Sequence, residues 1–135
     1  MGNAAARGWI VVAALSAALS IAIGAFAAHG IDVSTPAGLK AREWLHTGSQ
    51  YEMIHALAIL AVVALAHGER LAGRTALTAQ WLFLIGSVYF SGALYALAFA
   101  GPKWFGAVAP IGGTAFILGW LCLAAAAVLR KAARP

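Results

Sequence analysis

The sequence predicts an all-α integral membrane protein, a bundle of four transmembrane helices with both termini in the cytoplasm. Hydrophobic residues make up 63% of its 135 positions and charged residues only 10%, whereas a soluble domain carries about a quarter charged residues. So few charges cannot cover a water-soluble surface, which argues against a soluble enzyme and against a nucleic-acid-binding module. The length fits one membrane domain, residues 1–135.

Long apolar runs supply the predicted spans, because a hydrocarbon core of about 30 Å needs roughly 20 helical residues. Uncharged runs of this length cover three segments, residues 9–28, 77–100 and 107–129. A fourth run, residues 51–67, reaches membrane length only if Tyr51, Glu52 and His55 enter the membrane with it. Three spans would leave this run as an unexplained apolar segment in water, so we predict four.

The first connection contains a helix start. Thr35 is predicted as the N-cap and Pro36 as the first helical residue, the position at which proline is best tolerated. Residues 36–49 are therefore predicted as an extramembrane helix that leads into the second span, with Gly48 as the position of a bend. Gly101 and the proline after it are predicted to end the third span in a tight turn.

The distribution of positive charge predicts the orientation. Six of the nine Lys and Arg residues fall in the N-terminal tail, the second connection and the C-terminal tail: Arg7, Arg70, Arg74, Arg130, Lys131 and Arg134. The other three fall in the first and third connections: Lys40, Arg42 and Lys103. Cytoplasmic segments carry the excess of Lys and Arg, so both termini are predicted on the cytoplasmic side of a bacterial inner membrane.

A cleavable secretion signal is the alternative interpretation of the first apolar run. Arg7, this run and the small residues Ala25 and Ala27 follow the order of a charged region, an apolar core and a cleavage site. The run is longer than a usual signal core, and three further spans would remain after cleavage. We therefore interpret it as a retained helix.

Small residues recur at helical spacing within the spans. Lipid is as apolar as leucine, so membrane helices associate through such smooth faces and through buried hydrogen bonds. We assign to helix packing Ser16, Ser20, Gly24, Ser87, Gly92, Gly112, Gly113 and Gly119. These faces favour a compact bundle, and they motivate the hypothesis that the protein self-associates or joins a larger membrane complex.

Polar side chains inside the spans form the candidate site, because each is costly in hydrocarbon without a partner. Helical spacing puts Tyr51 and His55 on one face, with Glu52 on a neighbouring face. The other members come from segments expected at the same, outer depth of the bundle. The predicted cluster comprises His29, Tyr51, Glu52, His55, Ser91 and Tyr95.

Three functions of this cluster compete. The favoured interpretation is structural, with Glu52 and His55 forming hydrogen bonds between helices. The second is a conduit for protons or a small solute that uses His29, Glu52 and His55. The third is haem or metal binding, through a His29–His55 axial pair or through the Glu-x-x-His spacing of Glu52 and His55, which occurs in di-iron bundles. Such iron sites need several carboxylates, and the spans contain no other Asp or Glu.

Motifs for catalysis are missing from the sequence. It has one cysteine, Cys122, and we find no phosphate-binding glycine loop and no Ser, His and Asp set. We therefore predict no catalytic activity, no cofactor and no metal, with the lipid bilayer as the principal partner. The tryptophans are predicted mostly as interfacial anchors; they are Trp9, Trp44, Trp81, Trp104 and Trp120.

Four segments in order along the chain carry a family resemblance. They are residues 24–29, 44–60, 90–95 and 110–120. Together they resemble the YgdD/YwdK-like family of small bacterial membrane proteins, known as domain of unknown function 423. The resemblance implies a four-helix inner-membrane protein whose molecular activity is not established.

The sequence departs from this family pattern at three positions. Glu52 stands where Gln is common, Ala27 where Gly is common and Ala93 where Ser is common. A position that accepts an amide or a carboxylate does not need a charge for catalysis. The resemblance therefore lowers the expectation of an enzyme or of a metal held by Glu52.

Overall fold

The computed structural model of the chain describes residues 2–68, 70–99 and 101–132, with side chains up to residue 130. Every regular element within these ranges is helical. The elements are α1 (Asn3–His29), α2 (Pro36–His67), α3 (Gly73–Gly86), a π-helical turn (Ser87–Ser91), α4 (Gly92–Ala98) and α5 (Phe105–Ala132). Ala100, the predicted end of the third span, lies outside the described residues, as do Arg134 and the side chain of Lys131.

Four helical segments of the described chain are long and apolar enough to cross a membrane. They are Asn3–His29, Pro36–His67, Gly73–Ala98, which joins α3, the π-helical turn and α4, and Phe105–Arg130. The predicted all-α, four-span fold is thereby confirmed. α1 packs along α2, while α5 packs along the α3–α4 segment, which also contacts α2.

The predicted start of α2 is confirmed. Thr35 Oγ1 accepts a hydrogen bond from the Gly38 N–H at 3.0 Å, and Pro36 occupies the first turn. The helix then continues unbroken through Gly48 for 32 residues, so residues 36–49 are not a separate element. The glycine serves packing instead, because a Cβ at Gly48 would lie 2.6 Å from Cε1 of Tyr95.

The π-helical turn interrupts the third membrane segment between α3 and α4. Such a turn inserts one extra residue and shifts the faces of the helix that follows it. Ser87 Oγ donates to the carbonyl of Phe83 at 3.0 Å within the same segment.

Glycines allow the close approach of α5 to the third segment. A Cβ at Gly119 would lie 2.7 Å from Cδ1 of Phe83, and one at Gly112 would clash with the backbone N of Phe90. Gly92, also predicted for packing, is different, since a Cβ there would meet nothing within 4 Å. The structure therefore shows no close helix contact at Gly92.

Candidate functional site

Two polar side chains on α2, one helical turn apart, connect this helix to three others. Glu52 is 6% exposed and His55 is 3% exposed. Their partners lie on α1, α4 and α5. The centre of the bundle is therefore polar, although most of the surrounding core is aliphatic or aromatic.

The carboxylate of Glu52 is shared between α1 and α4. Its Oε1 accepts from Ser16 Oγ at 2.8 Å, and its Oε2 accepts from the Tyr95 hydroxyl at 2.7 Å. No ion pair in the described part of the chain involves Glu52. Both carboxylate oxygens are thus bonded to neutral hydroxyl donors, and three helices meet at one side chain.

The His55 ring is held through both nitrogens. Nδ1 lies 2.7 Å from the Tyr51 carbonyl oxygen, and Nε2 accepts from the Trp120 indole N–H at 3.2 Å. A carbonyl only accepts and an indole N–H only donates, so the two bonds fit the neutral ring with its proton on Nδ1. The ring also stacks on Phe116, with centroids 3.5 Å apart and an interplanar angle of 7°. His55 therefore links α2 to α5 in a defined orientation.

Ser91 makes a further link between α2 and the π-helical turn. Its Oγ donates to the Gly48 backbone carbonyl at 2.8 Å, and the residue is 1% exposed. This bond lies next to the contact between Gly48 and the Tyr95 ring. The predicted residues Ser91 and Tyr95 therefore reach the same stretch of α2, one through its backbone and one through Glu52.

Tyr51 lies at the open edge of the site. It is 43% exposed, and its ring packs against Phe90 and Phe116 with centroid distances of 4.8 and 6.1 Å. With His55 and Trp120, these rings line an aromatic crevice of about 550 Å³. Glu52 does not line this crevice.

His29 does not join the other predicted site residues. It is exposed at the last residue of α1, about 20 Å along the helix axis from Ser16, which contacts Glu52. The predicted axial pair of His29 and His55 is therefore wrong. The prediction placed His29 at the same membrane depth as the start of the second span. In the structure, α1 extends well beyond the level of Glu52.

A metal site needs several ligand side chains close together, and the described structure does not bring such a group together. Among residues 2–68, 70–99 and 101–132, no group of three or more His, Cys, Asp or Glu side chains could hold a metal ion. The buried pair with the Glu-x-x-His spacing, Glu52 and His55, has its polar atoms bonded to other side chains and to the backbone.

Sequence reasoning missed two partners of the site. The sequence predicts Trp120 among residues that are mostly interfacial anchors, but its N–H donates to His55. It predicts Ser16 for helix packing alone, but the Ser16 hydroxyl donates to Glu52. The available signal for Trp120 was its position near the middle of the predicted span 107–129, where an interfacial anchor is not expected. Phe116 lies four residues earlier on the same face of α5, which points to a shared aromatic contact.

These helices and their buried polar links define a small multi-pass helical membrane protein. A family model described as "Protein of unknown function (DUF423)" matches residues 23–113. The chain is 41% identical over 121 residues to the UPF0382 membrane protein YwdK of Bacillus subtilis (strain 168), which covers 89% of this chain and 95% of that protein.

Two further relatives extend the comparison. A UPF0382 membrane protein of Haemophilus influenzae is 42% identical over 116 residues, 86% of this chain and 90% of that protein. The UPF0382 inner membrane protein YgdD of Escherichia coli (strain K12) is 35% identical over 125 residues, 93% of this chain and 92% of that protein. No solved structure matches the chain.

The chain belongs to the DUF423 (UPF0382) family of small bacterial membrane proteins, which confirms the resemblance seen in the sequence. It is a multi-pass protein of the bacterial inner membrane. The family has no established molecular function.

Proposed function

We propose that this protein is a non-catalytic membrane bundle in which Glu52 and His55 hold the helices together. The observation that carries the proposal is the use of every polar atom in these two side chains. Both oxygens of Glu52 and both nitrogens of His55 have hydrogen-bond partners. All of these partners are groups of the protein, and three of the four bonds join α2 to another helix, which is the arrangement of a link between helices.

The exchange of Glu for Gln implied by the family resemblance agrees with this role. A glutamine at position 52 has one acceptor oxygen and one donor nitrogen in place of the two oxygens. The hydroxyls of Ser16 and Tyr95 can each donate or accept, so the same two links survive with an amide. A structural link therefore tolerates the exchange, whereas a proton relay through a carboxylate does not.

The topology belongs to the same proposal: spans near residues 9–28, 51–67, 77–100 and 107–129, with both termini cytoplasmic. The first residues of α1 lie beside Gly73, and the Ala72 N–H donates to the Ala126 carbonyl at 2.9 Å. The N-terminus, the α2–α3 connection and the end of α5 thus share one end of the bundle. That end carries the larger number of basic residues in the sequence.

Self-association stays a prediction. The small-residue face of α1 that suggested it lies against α2 within the chain: Ser16 bonds Glu52, Ser20 is buried, and Gly24 approaches Ser49. Partner chains would have to use other faces. Mass measurement of the protein in native lipid tests this, with a single copy as the result that counts against it.

A liposome flux assay distinguishes a structural bundle from a conduit. The wild type, His55→Ala and Glu52→Gln are reconstituted in vesicles containing a pH-sensitive dye, and a potassium diffusion potential drives proton entry. We expect all three to match protein-free vesicles. Proton entry above that background in the wild type, removed by His55→Ala, would overturn the structural proposal and favour the conduit.

A further inference from the structure

A cavity of about 440 Å³ lies at the basic end of the bundle, away from the site described above. It is formed by the first turn of α1, the last turn of α2 and the first two turns of α3. Its polar side chains include Arg74 and Gln80, both hydrogen-bond donors, and its other lining residues are glycine, alanine and leucine.

Two helix N-termini meet at this cavity, through Gly2 of α1 and Gly73 of α3. Their N-caps, Gly2 and Ala72, provide no side-chain acceptor, and neither first turn contains an acidic residue. By contrast, α2 begins at the other end of the bundle with Thr35 as a side-chain cap. The first-turn N–H groups and the positive ends of two helix dipoles therefore favour a negatively charged ligand.

The last backbone carbonyls of α2 lie near these N–H groups but are mostly occupied as hydrogen-bond acceptors. Its last carbonyls already accept hydrogen bonds: the Gly68 N–H bonds to Ala64 and Ala66, and the Arg70 N–H bonds to Leu65. The negative end of this helix is thus largely occupied by the chain itself.

A buried, unpartnered donor points to a ligand more directly. Gln80 is 1% exposed and lines the cavity, and its Nε2 has no hydrogen-bond partner among the described residues. Leaving such a group unpaired is costly, so native structures seldom keep one without an external partner. Gln80 lies about 10 Å along α3 from Gly73, so an acceptor for it must sit well below the helix end.

We propose that this cavity binds an anionic phospholipid. The lipid phosphate pairs with Arg74 and the first-turn N–H groups, an ester carbonyl accepts from Gln80 Nε2, and an acyl chain lies against Ala66 and Leu77. A phospholipid has this order of acceptors, with the charge at the surface and the ester groups deeper. Free phosphate would leave the deeper donor unpaired.

The surrounding charge favours an anionic headgroup over a zwitterionic one. Arg7 and His67 line an adjacent groove between α1 and α2. Basic pockets between helices at the cytoplasmic side of membrane proteins recognise anionic lipid headgroups.

Native mass spectrometry of the delipidated full chain tests the proposal. Dioleoylphosphatidylglycerol and dioleoylphosphatidylcholine are titrated separately against the wild type, Arg74→Gln, Gln80→Leu and Arg70→Gln. Arg70→Gln is the matched control, since it removes the same charge from the same end of the bundle, and Arg70 does not line the cavity.

We expect the wild type to prefer phosphatidylglycerol. Arg74→Gln and Gln80→Leu should each weaken the binding of phosphatidylglycerol about tenfold, the loss for one charge-assisted or buried hydrogen bond. Arg70→Gln should change binding by no more than about twofold, as expected for an exposed charge.

Four results would overturn this assignment. The first is equal loss in Arg70→Gln and Arg74→Gln, which would indicate a diffuse surface charge. The second is equal binding of both lipids. The third is protection from thermal unfolding by inorganic phosphate equal to that by phosphatidylglycerol. The fourth is a large loss of thermal stability in lipid-free Gln80→Leu, because the Nε2 that it removes has no partner within the described chain.

Discussion

Replacing Glu52 tests whether one side chain joins three helices. Glu52→Ala removes the bonds to Ser16 and Tyr95, whose hydroxyls then lack their interhelical partner. Interhelical hydrogen bonds in membrane proteins contribute about 0.6 kcal/mol on average and up to about 1.7. Both hydroxyls are only partly buried, so losing the partner costs each less than the full penalty of a buried group. We therefore expect Glu52→Ala to lower the free energy of unfolding by about 1–3 kcal/mol.

Equilibrium unfolding in mixed micelles, titrated with a denaturing detergent and followed by circular dichroism, measures this free energy. Glu52→Gln should cost less than about 1 kcal/mol, because the amide can bond both hydroxyls. Ser16→Ala and Ser20→Ala form a matched pair on α1: the Ser16 hydroxyl bonds another helix, whereas the Ser20 hydroxyl bonds the Ala17 carbonyl of its own helix. Only the first should couple to Glu52 in a double-mutant cycle.

The reasoning fails if Glu52→Ala stays within about 0.5 kcal/mol of the wild type, the range of an ordinary surface substitution. It fails equally if Ser20→Ala costs as much as Ser16→Ala. Either result would mean that the buried carboxylate contributes no specific link between α1, α2 and α4.

Three further predictions concern other links and the orientation. Gly48→Ala should lower the free energy of unfolding by about 1–3 kcal/mol, because its Cβ would overlap the ring of Tyr95. Gly92→Ala is the control and should be neutral or stabilising, since a Cβ there meets no neighbour. Equal effects of the two substitutions would contradict the packing role of Gly48. Trp120→Phe keeps an aromatic ring but removes the N–H donor to the α2 histidine, so it should cost about 1 kcal/mol in the same titration, and no loss would show that this bond is dispensable. In a cysteine-free background, a membrane-impermeant thiol reagent applied to intact cells should label Lys103→Cys and spare Arg70→Cys; the reverse pattern would invert the topology.

Local chemistry explains why much of the fold was predictable. Apolar runs of membrane length indicate spans wherever they occur, because the bilayer imposes the same requirement on every helix. Thr35 and Pro36 mark the start of α2 for an equally local reason, since a cap needs only a side-chain oxygen within one turn. The continuity of α2 through Gly48 was not predictable this way, because a glycine at a bend and a glycine at a close contact look alike in a sequence.

The candidate site shows where such local reasoning ends. Glu52 and His55 were identified as costly polar residues, but their partners lie 36, 43 and 65 positions away in the chain. The length of α1 places His29 away from the cluster. That error arises from assuming that the ends of neighbouring helices lie at equal depth.

Membrane residence, the number of spans and the residues that need partners follow from hydrophobicity and helix propensity, which each short stretch of chain carries independently. The identity of those partners depends on how far each helix is rotated and shifted along its neighbours. Contacts such as Gly112 against Phe90 and Gly48 against Tyr95 set that rotation and shift. Such contacts exist only after the helices have packed, so no single stretch of sequence contains them.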